Sequence, residues 1–442
     1  MARSALDMGL AAQAGMIRSG GIDPVELVSL SIERIRKADR RFRCFLSVFE
    51  ERALSAAAEV SRDLKAGKAV GALAGVPVSV KDNIYVGGER CTAGSRILSD
   101  FVPTRDSDVV GRLRRAGAII VGTNNMSEFA TGVTTNNPWH GNVPNPWDEL
   151  RTAGGSSGGS AVAVALRAVP GSLGTDTGGS IRIPASFCGV VGVKPTYGLV
   201  SKKGVVPASW RLDHVGPLTR SVEDAMLMLK TISGGAARPA PPAGGRVCVP
   251  ADLDDFSVSD GVKKEFLRFL DSSGMAWEEE AFPPAELFRD TWICIRRSEA
   301  AAFHRRWFRE RPQDYSGEMR GFLEAGGKVT AVEYVEALIN RRRIRGRLGA
   351  LLGRYDAIAT PTTPVVAPRQ GGSEGLGELY RTLTSLTVVH NLTGFPAVSL
   401  PAGLSEGLPV GAQLAGRPYG EEVVMKLALA AERELPPPPA TL

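Results

Sequence analysis

Three segments of the chain carry the residue types that acyl transfer requires. Lys81 ends the run Val-Pro-Val-Ser-Val-Lys, Ser156 lies in Gly-Gly-Ser-Ser-Gly-Gly-Ser, and Ser180 lies in Gly-Thr-Asp-Thr-Gly-Gly-Ser. Serine hydroxyls are potential nucleophiles, and the glycines beside them allow turns whose backbone N–H groups can bind an oxyanion. A lysine at the end of a strand could act as the base. These segments together predict hydrolysis or transfer at a carbonyl carbon.

The two serines compete for the role of nucleophile. Ser180 ends a Thr-Gly-Gly-Ser turn that can supply both the hydroxyl and the oxyanion donors. Ser156 fits the nucleophile elbow Gly-x-Ser-x-Gly, which requires a strand before it and a histidine base. The residues before Gly154 read as a loop, which disfavours the elbow. The histidines that this alternative could use are His214, His304 and His390.

A lysine base must lose its charge before it can accept a proton. Its ordinary pKa of ~10.4 leaves roughly one part in a thousand neutral at pH 7. Burial beside hydroxyls, without a carboxylate partner, would lower the pKa of Lys81. Asp82 follows directly, but neighbouring side chains on an extended segment point to opposite faces, so the two need not pair. The second serine could then relay protons between the lysine and the attacking serine.

The elements that must position these residues alternate between helix and strand. Residues 5–70 are predicted to be helical, with Asp23 as the N-cap of a helix that begins at Pro24. Val76–Val80 is predicted to be a buried strand that delivers Lys81, and a helix around Val109–Arg115 precedes a strand at Ala118–Val121. This succession indicates an α/β sheet, in which chemistry tends to lie beyond the strand ends.

The remaining part of the chain has fewer sequence signals of secondary structure. The predicted elements are a helix at Ser160–Ala168, a linker at Gly234–Gly245, helices of variable character to about residue 350, a strand at Tyr355–Ala359, a short strand among the turn residues after Asn391, and a disordered tail at Pro436–Pro439. Because the candidate catalytic and closing segments flank the linker, one large domain is expected rather than two.

Composition excludes several classes of protein. The chain has 442 residues, 43% hydrophobic and 23% charged, with a net charge of +6, which is ordinary for a globular protein. Five scattered cysteines without a Cys-x-x-Cys spacing favour a reducing compartment, and the four histidines form no zinc-binding pattern. No apolar run is long enough to span a membrane. We therefore expect a cytoplasmic protein without a metal or cofactor. The arginines between Arg341 and Arg347 are expected mainly at a solvated surface. One of them could still meet a substrate carboxylate.

Lys81, Ser156 and Ser180 in these contexts resemble the Ser-cisSer-Lys triad of the amidase signature family. The resemblance extends over nearly the whole chain, through Leu73-Ala-Gly-Val-Pro-Val-Ser-Val-Lys-Asp-Asn to Asn391-Leu-Thr-Gly-Phe-Pro-Ala. It implies an α/β amidase signature fold, with a large twisted mixed β-sheet covered by helices on both faces. It also implies a single domain over 1–442, with a catalytic core at about 65–220, a variable substrate-side region at about 246–350 and a core-closing segment at about 351–435.

The resemblance assigns a role to each candidate residue. Ser180 would attack the amide carbonyl and form an acyl-enzyme, while Ser156, preceded by a cis peptide bond, would pass protons between Ser180 and a neutral Lys81. The backbone N–H groups of the oxyanion hole would be those of Thr177, Gly178, Gly179 and Ser180. The residues expected to support these loops are Ser157, Asp176 and Arg182.

Two members of the family fit the chain. The favoured one is a free-standing amidase, and the alternative is the glutamine-hydrolysing A subunit of a tRNA-dependent amidotransferase. Ile183 stands where that subunit usually has Gln, and Thr384 stands where it usually has an aspartate that grips the substrate ammonium. Gly179 disfavours an allophanate-type hydrolase, which usually has Ala there.

The expected partner is a small-molecule amide, without direct binding to nucleic acid or membrane. A homodimer stays open, as do partner subunits under the alternative. Family analogy places the pocket walls in Met126–Thr131 and after residue 290, and Trp210 could contribute to the pocket or simply pack.

Overall fold

The structure of the chain is a computed structural model that describes residues 5–235, 245–371 and 376–435. Most of the predicted linker Gly234–Gly245 and all of the predicted tail Pro436–Pro439 lie outside these residues.

The described residues form an α/β structure with fourteen α-helices and eleven strands. The helices are α1 (Leu10–Arg18), α2 (Pro24–Phe42), α3 (Glu50–Lys65), α4 (Asp108–Arg115), α5 (Gly158–Ala165), α6 (Arg182–Cys188), α7 (Val222–Ile232), α8 (Asp260–Ser272), α9 (Ala285–Glu310), α10 (Gly317–Gly327), α11 (Ala331–Arg354), α12 (Leu376–Thr384), α13 (Val388–Thr393) and α14 (Glu421–Glu434). The strands are β1 (Phe45–Val48), β2 (Pro77–Lys81), β3 (Ile119–Asn124), β4 (Gly171–Asp176), β5 (Val191–Lys194), β6 (His214–Thr219), β7 (Arg246–Pro250), β8 (Ala276–Glu280), β9 (Ala357–Pro361), β10 (Ala397–Ser405) and β11 (Leu408–Ala415).

All eleven strands belong to one mixed sheet, in the order β1-β3-β2-β4-β6-β5-β10-β11-β9-β7-β8. Strand β2 runs parallel to both of its neighbours, β3 and β4, whereas β4 pairs antiparallel with β6. The last residues of β2 and β4 are Lys81 and Asp176, so the parallel pair brings two candidate site residues to the same edge of the sheet.

Helices pack on both faces of the sheet. Val78, Val80 and Ile120 belong to a hydrophobic core that includes residues of α4 and α7. Ile119 and Val121 belong to a second core that includes residues of α2 and α5. Neighbouring residues of β3 thus enter different cores, as the alternation of side chains along a strand requires. The predicted mixed sheet with two helical layers is confirmed.

The structure matches most of the predicted elements near the site and departs from them elsewhere. Asp23 caps α2 by accepting a hydrogen bond from the Val25 N–H, as predicted. The expected all-helical stretch 5–70 is interrupted by β1, and the region expected to be helical after the linker also contains β7 and β8. Asn391, expected in a turn, lies in α13. No helix in the described part of the chain is long and apolar enough to cross a bilayer.

Candidate active site

Lys81 lies at the centre of a buried polar cluster. As the last residue of β2 it is fully buried, and its Nζ donates to Ser156 Oγ at 2.7 Å and to Thr175 Oγ1 at 2.9 Å. Asn83 Nδ2 donates to the same Thr175 hydroxyl at 3.1 Å. The hydrogen-bond partners of the ammonium are therefore neutral oxygens, and it forms no ion pair within the described residues.

Burial lowers the pKa of Lys81 to about 7, although Asp176 and Asp213 partly oppose this shift. Asp82 does not pair with Lys81, because its carboxylate accepts hydrogen bonds from the N–H and the hydroxyl of Thr92. Burial raises the pKa of Asp82 to about 6. Burial and neutral hydrogen-bond partners together favour the uncharged form of Lys81, as a lysine base requires.

Ser156 follows a cis peptide bond from Gly155. Glycine is required in this loop because other atoms occupy the space of a side chain. A Cβ on Gly155 would lie 2.8 Å from the backbone nitrogens of Thr134 and Thr135. Gly154 has a φ of +78°, and a Cβ on it would lie 2.9 Å from Pro184 Cα. The helix α5 begins two residues after Ser156, so the loop sets the position of the hydroxyl that meets Lys81.

Ser180 lies in the turn between β4 and α6 and is 7% exposed. Its carbonyl accepts a hydrogen bond of 3.1 Å from the Ser157 N–H, and Ser157 Oγ donates to the Thr175 carbonyl at 3.1 Å. Ser157 therefore connects the two serine loops. Ser180 Oγ itself makes no hydrogen bond within the described residues, which leaves its hydroxyl available.

The four N–H groups of the Ser180 turn differ in their partners. Gly179 has a φ of +125°, and its N–H donates to Asp176 Oδ1 at 2.8 Å. The N–H groups of Thr177, Gly178 and Ser180 have no acceptor in the described chain. Three of the four predicted oxyanion donors thus have no partner in the described residues, and the fourth, at Gly179, is bound to Asp176 in this conformation.

Asp176 and Arg182 form a buried ion pair that holds this turn. Arg182 Nε and Nη2 donate to the two Asp176 oxygens at 3.0 and 2.9 Å, and both side chains are fully buried. Arg182 also donates to Gln413 Oε1 at 2.6 Å and Asn391 Oδ1 at 2.7 Å. Burial alone would raise the pKa of Asp176, but the guanidinium holds it well below the usual range. The pair links the Ser180 turn to α13 and β11, and within the described residues it makes no hydrogen bond to Lys81 or Ser156.

Several residues that sequence reasoning missed complete the site. Asp213 accepts a hydrogen bond of 2.7 Å from Thr177 Oγ1, and Trp292 Nε1 donates to the Thr177 carbonyl at 2.8 Å. Thr175 and Asn83 surround the Lys81 ammonium. Asn83 and Thr175 lie inside the two motifs, but no sequence signal assigns a role to them. No local motif marks Asp213 or Trp292, which come from a distant loop and from a helix more than a hundred residues after Thr177.

Two of the three histidines of the alternative mechanism have hydrogen-bond partners away from Ser156, and His390 Nδ1 is buried without a partner in the described residues. His214 Nδ1 lies 2.7 Å from the Leu212 carbonyl, and His304 Nδ1 lies 3.0 Å from the Tyr315 hydroxyl. Burial lowers the pKa of His214 and His390 and lowers that of His304 to about 3. Within the described residues, none of them hydrogen-bonds to Ser156, so the geometry gives the elbow no base.

A cleft of about 370 Å³ opens beside the Ser180 turn, between α9, α10 and α12. We call it the three-helix cleft; its aromatic walls are Trp292, Phe322 and Tyr380. Thr384 and Thr131, the last residue of the segment Met126–Thr131, also line it. Trp210 lies instead at a second cavity of about 250 Å³, and Arg341 donates to the Leu392 carbonyl at 2.7 Å. No cluster of potential metal ligands occurs in the part of the chain that the structure describes.

Comparison with known proteins shows the same likeness over nearly the whole chain. A family model described as Amidase matches residues 26–425. The A subunit of glutamyl-tRNA(Gln) amidotransferase from Moorella thermoacetica is 37% identical, over 93% of this chain and 93% of its own length.

Solved structures agree with this result. A crystal structure of an amidase superposes with a TM-score of 0.91 at 35% identity, covering 97% of this chain and all of its own. The A subunit of glutamyl-tRNA(Gln) amidotransferase from Thermotoga maritima superposes with a TM-score of 0.80 at 34% identity, covering 95% of this chain and 93% of its own.

Proposed function

The chain belongs to the amidase signature family, and we propose that it is a free-standing amidase that hydrolyses a carboxylic amide through an acyl-enzyme on Ser180. The observation that carries this proposal is the contact of 2.7 Å between the buried Lys81 Nζ and Ser156 Oγ. A lysine whose pKa is about 7 is half neutral at pH 7, whereas an ordinary lysine is almost wholly charged. Lys81 can therefore serve as a base under neutral conditions.

The first half of the reaction forms the acyl-enzyme. Ser180 Oγ attacks the amide carbon as its proton passes to Ser156 Oγ, and the Ser156 proton passes to neutral Lys81 Nζ. The C–N bond then breaks, and the same path returns a proton from Lys81 through Ser156 to the departing nitrogen. The products of this half are an ester on Ser180 and ammonia or an amine.

The second half hydrolyses the ester. Water attacks the acyl carbon as its proton passes through Ser156 to Lys81, and Ser180 regains a proton when the C–O bond breaks. The other product is a carboxylic acid, which ionises to the carboxylate. No oxidant or metal enters this balance.

We assign the oxyanion to the N–H groups of the Ser180 turn. The three N–H groups without an acceptor, those of Thr177, Gly178 and Ser180, lie next to the attacking hydroxyl in the chain. Gly179 joins them only if its hydrogen bond to Asp176 is shared or exchanged. Donors of this kind stabilise the developing charge without reorganisation, and loss of one typically costs about 10²–10³-fold in kcat.

The second candidate function is glutamine hydrolysis as the A subunit of an amidotransferase. The identity of 37% to such a subunit favours it. Two residues weigh against it. Ile183 stands where that subunit usually has Gln, and Thr384 stands where it usually has Asp. Thr384 lines the three-helix cleft but supplies no carboxylate for the glutamine ammonium.

Ammonia release by the purified chain distinguishes the two candidates. Glutamine and a panel of aliphatic, aromatic and carboxylated amides are supplied to the wild type, with Ser180→Ala as the blank. Turnover of simple amides with little glutaminase activity is expected. Glutamine as the sole substrate, or activity that appears only with a partner subunit, would overturn the free-standing function.

A further inference from the structure

Trp292 lies between the three-helix cleft and the turn that carries Ser180. Trp292 Nε1 donates to the Thr177 carbonyl, and a Cβ on Gly178 would lie 2.5 Å from the Trp292 ring, so the ring packs directly on the turn that carries Ser180. Thr387 Oγ1 donates to the Gly178 carbonyl at 2.6 Å from the α12–α13 connection. The three-helix cleft and the Ser180 turn therefore share Trp292 as a common wall.

Cationic side chains line the cleft in a pattern set by helical periodicity. Arg289 and Arg297 are two helical steps of four apart on α9, with Ile293 between them, so all three lie on one face. Arg381 reaches the cleft from α12. The arginines therefore converge from two helices on a cavity whose other walls are aromatic.

These arginines are incompletely paired. Arg289 has one distant carboxylate, Glu286 Oε1 at 3.7 Å, while Arg297 and Arg381 form no ion pair within the described residues. The Nε atoms of Arg289 and Arg297 are buried and lack any acceptor in that part of the chain. Buried donors of a charged group are costly to leave unsatisfied, so an acceptor from outside the chain fits this cavity.

Two acidic residues also line the cleft, and they partly offset the arginines. Asp290 precedes Ile293 on α9 and is exposed, and Glu318 lies on α10. Glu318 is exposed to solvent as well, so both carboxylates count against the arginines. Three arginines against these two acids leave an excess of positive charge.

We propose that the three-helix cleft binds an acyl group that ends in a carboxylate, so that the preferred substrates are monoamides of dicarboxylic acids. The inference rests on the proposed function, since it names the substrate class of the same site. Arg297 and Arg381 would contact the carboxylate, and Trp292, Phe322 and Tyr380 would pack against the methylene chain. A cavity of about 370 Å³ has room for a short acyl chain of this kind.

Three amides that differ only at the far end of the acyl chain test the proposal. Adipic acid monoamide, pentanamide and 5-aminopentanamide carry a carboxylate, a hydrogen and an ammonium on the same chain of four methylenes. We expect kcat/KM for the carboxylate to exceed that for pentanamide by about 10-fold or more, because a charge-assisted contact is worth that much. Addition of salt should reduce this ratio.

Arginine variants locate the effect. Arg297→Met and Arg381→Met should each lower kcat/KM for adipic acid monoamide about 10-fold more than for pentanamide, mainly through KM. Arg306→Met is the matched control, because Arg306 lies on the same helix, is 82% exposed and is remote from the cleft. Thermal unfolding of each variant checks that it is folded, and the salt dependence of the wild type tests the proposal without any variant.

The outcomes separate the inference from the proposed function. Equal turnover of the three amides, a preference for 5-aminopentanamide, or equal losses for all three substrates in Arg297→Met would overturn the carboxylate site and leave the amidase intact. No turnover above the Ser180→Ala blank with any of the three, or across the wider panel, would overturn the proposed function itself.

Discussion

The nucleophile region and the three-helix cleft differ in how their polar groups are satisfied. Around Lys81, Ser157 and Asp176, most buried side-chain donors and acceptors have partners within the chain, whereas Asn83 Oδ1 and three N–H groups of the Ser180 turn have none in the described residues. In the cleft, by contrast, Arg297 and the exposed Arg381 form no ion pair within the described residues, although Asp290 and Glu318 line the same cavity, and Arg297 Nε is buried without an acceptor. In the first region the ion pair and the lysine contacts are formed by the chain alone, and only the proposed oxyanion donors await the substrate, whereas the proposed carboxylate site lacks its main partner until the substrate binds. We infer that the fold alone positions the residues of the proposed reaction, whereas the choice of substrate depends on contacts that the substrate completes in the cleft.

Removal of the nucleophile is the strongest test of this division. Ser180→Ala should lower kcat by on the order of 10⁴-fold or more, because no other hydroxyl takes its place in the turn. The free energy of unfolding should stay within about 0.5 kcal/mol of the wild type, since Ser180 Oγ makes no hydrogen bond in the described chain. Ammonia release and urea unfolding measure the two effects. Activity near the wild-type level would assign the nucleophile elsewhere.

Lys81 provides the next largest effect and a dependence on pH. Lys81→Met should lower kcat/KM by about 10²–10⁴-fold. Because the pKa of Lys81 is about 7 and only the neutral amine accepts a proton, wild-type kcat/KM should rise about tenfold per pH unit below 7 and level off above it. A pH–rate profile with a substrate that does not titrate, such as pentanamide, measures this directly. A flat profile between about pH 5 and 9, or a harmless Lys81→Met, would remove Lys81 as the base.

The Asp176–Arg182 pair tests whether the nucleophile region depends on its own polar network. Asp176→Asn would leave the buried Arg182 guanidinium without a countercharge, which should lower the free energy of unfolding by about 3–5 kcal/mol. Asp254→Asn is the matched control, because Asp254 is 79% exposed and its pair with Lys263 at 3.5 Å should contribute about 0–1 kcal/mol. Urea unfolding compares the two variants. Similar midpoints for both would show that the buried pair is not required for stability.

The same contrast explains what could be predicted from the sequence. Lys81 and the two serine loops were found because each lies in a short segment whose glycines and strand pattern are local signals. Their contact distances depend on the register between β2 and β4, which no local pattern supplies. The proposed cleft arginines come from α9 and α12, and their convergence is visible only in three dimensions. The dense run of arginines around Arg341 is a local signal for a carboxylate site, yet none of these arginines lines the cleft.

The missed strands have a different cause. β8 reads Ala-Trp-Glu-Glu-Glu, which has neither the alternation nor the branched residues of a typical strand. It lies at one edge of the sheet, where charged residues prevent pairing with other chains. β1, of four residues between two helices, forms the opposite edge. Edge strands such as these are held by pairing with a neighbouring strand, so their own sequence predicts them poorly.

Trp292 contacts both regions, and its substitution is expected to change kcat less than the substitutions of Ser180 or Lys81. Its ring lines the three-helix cleft, while its Nε1 holds the Thr177 carbonyl. Trp292→Phe keeps an aromatic wall and removes one neutral hydrogen bond worth about 1 kcal/mol, so kcat should fall about 5-fold with little change in KM. Trp277→Phe is the control, because it loses a hydrogen bond to Asp271 at the surface. A change in KM alone would make Trp292 only a wall of the cleft, whereas a change in kcat would mean that the cleft helps to set the geometry of the nucleophile turn.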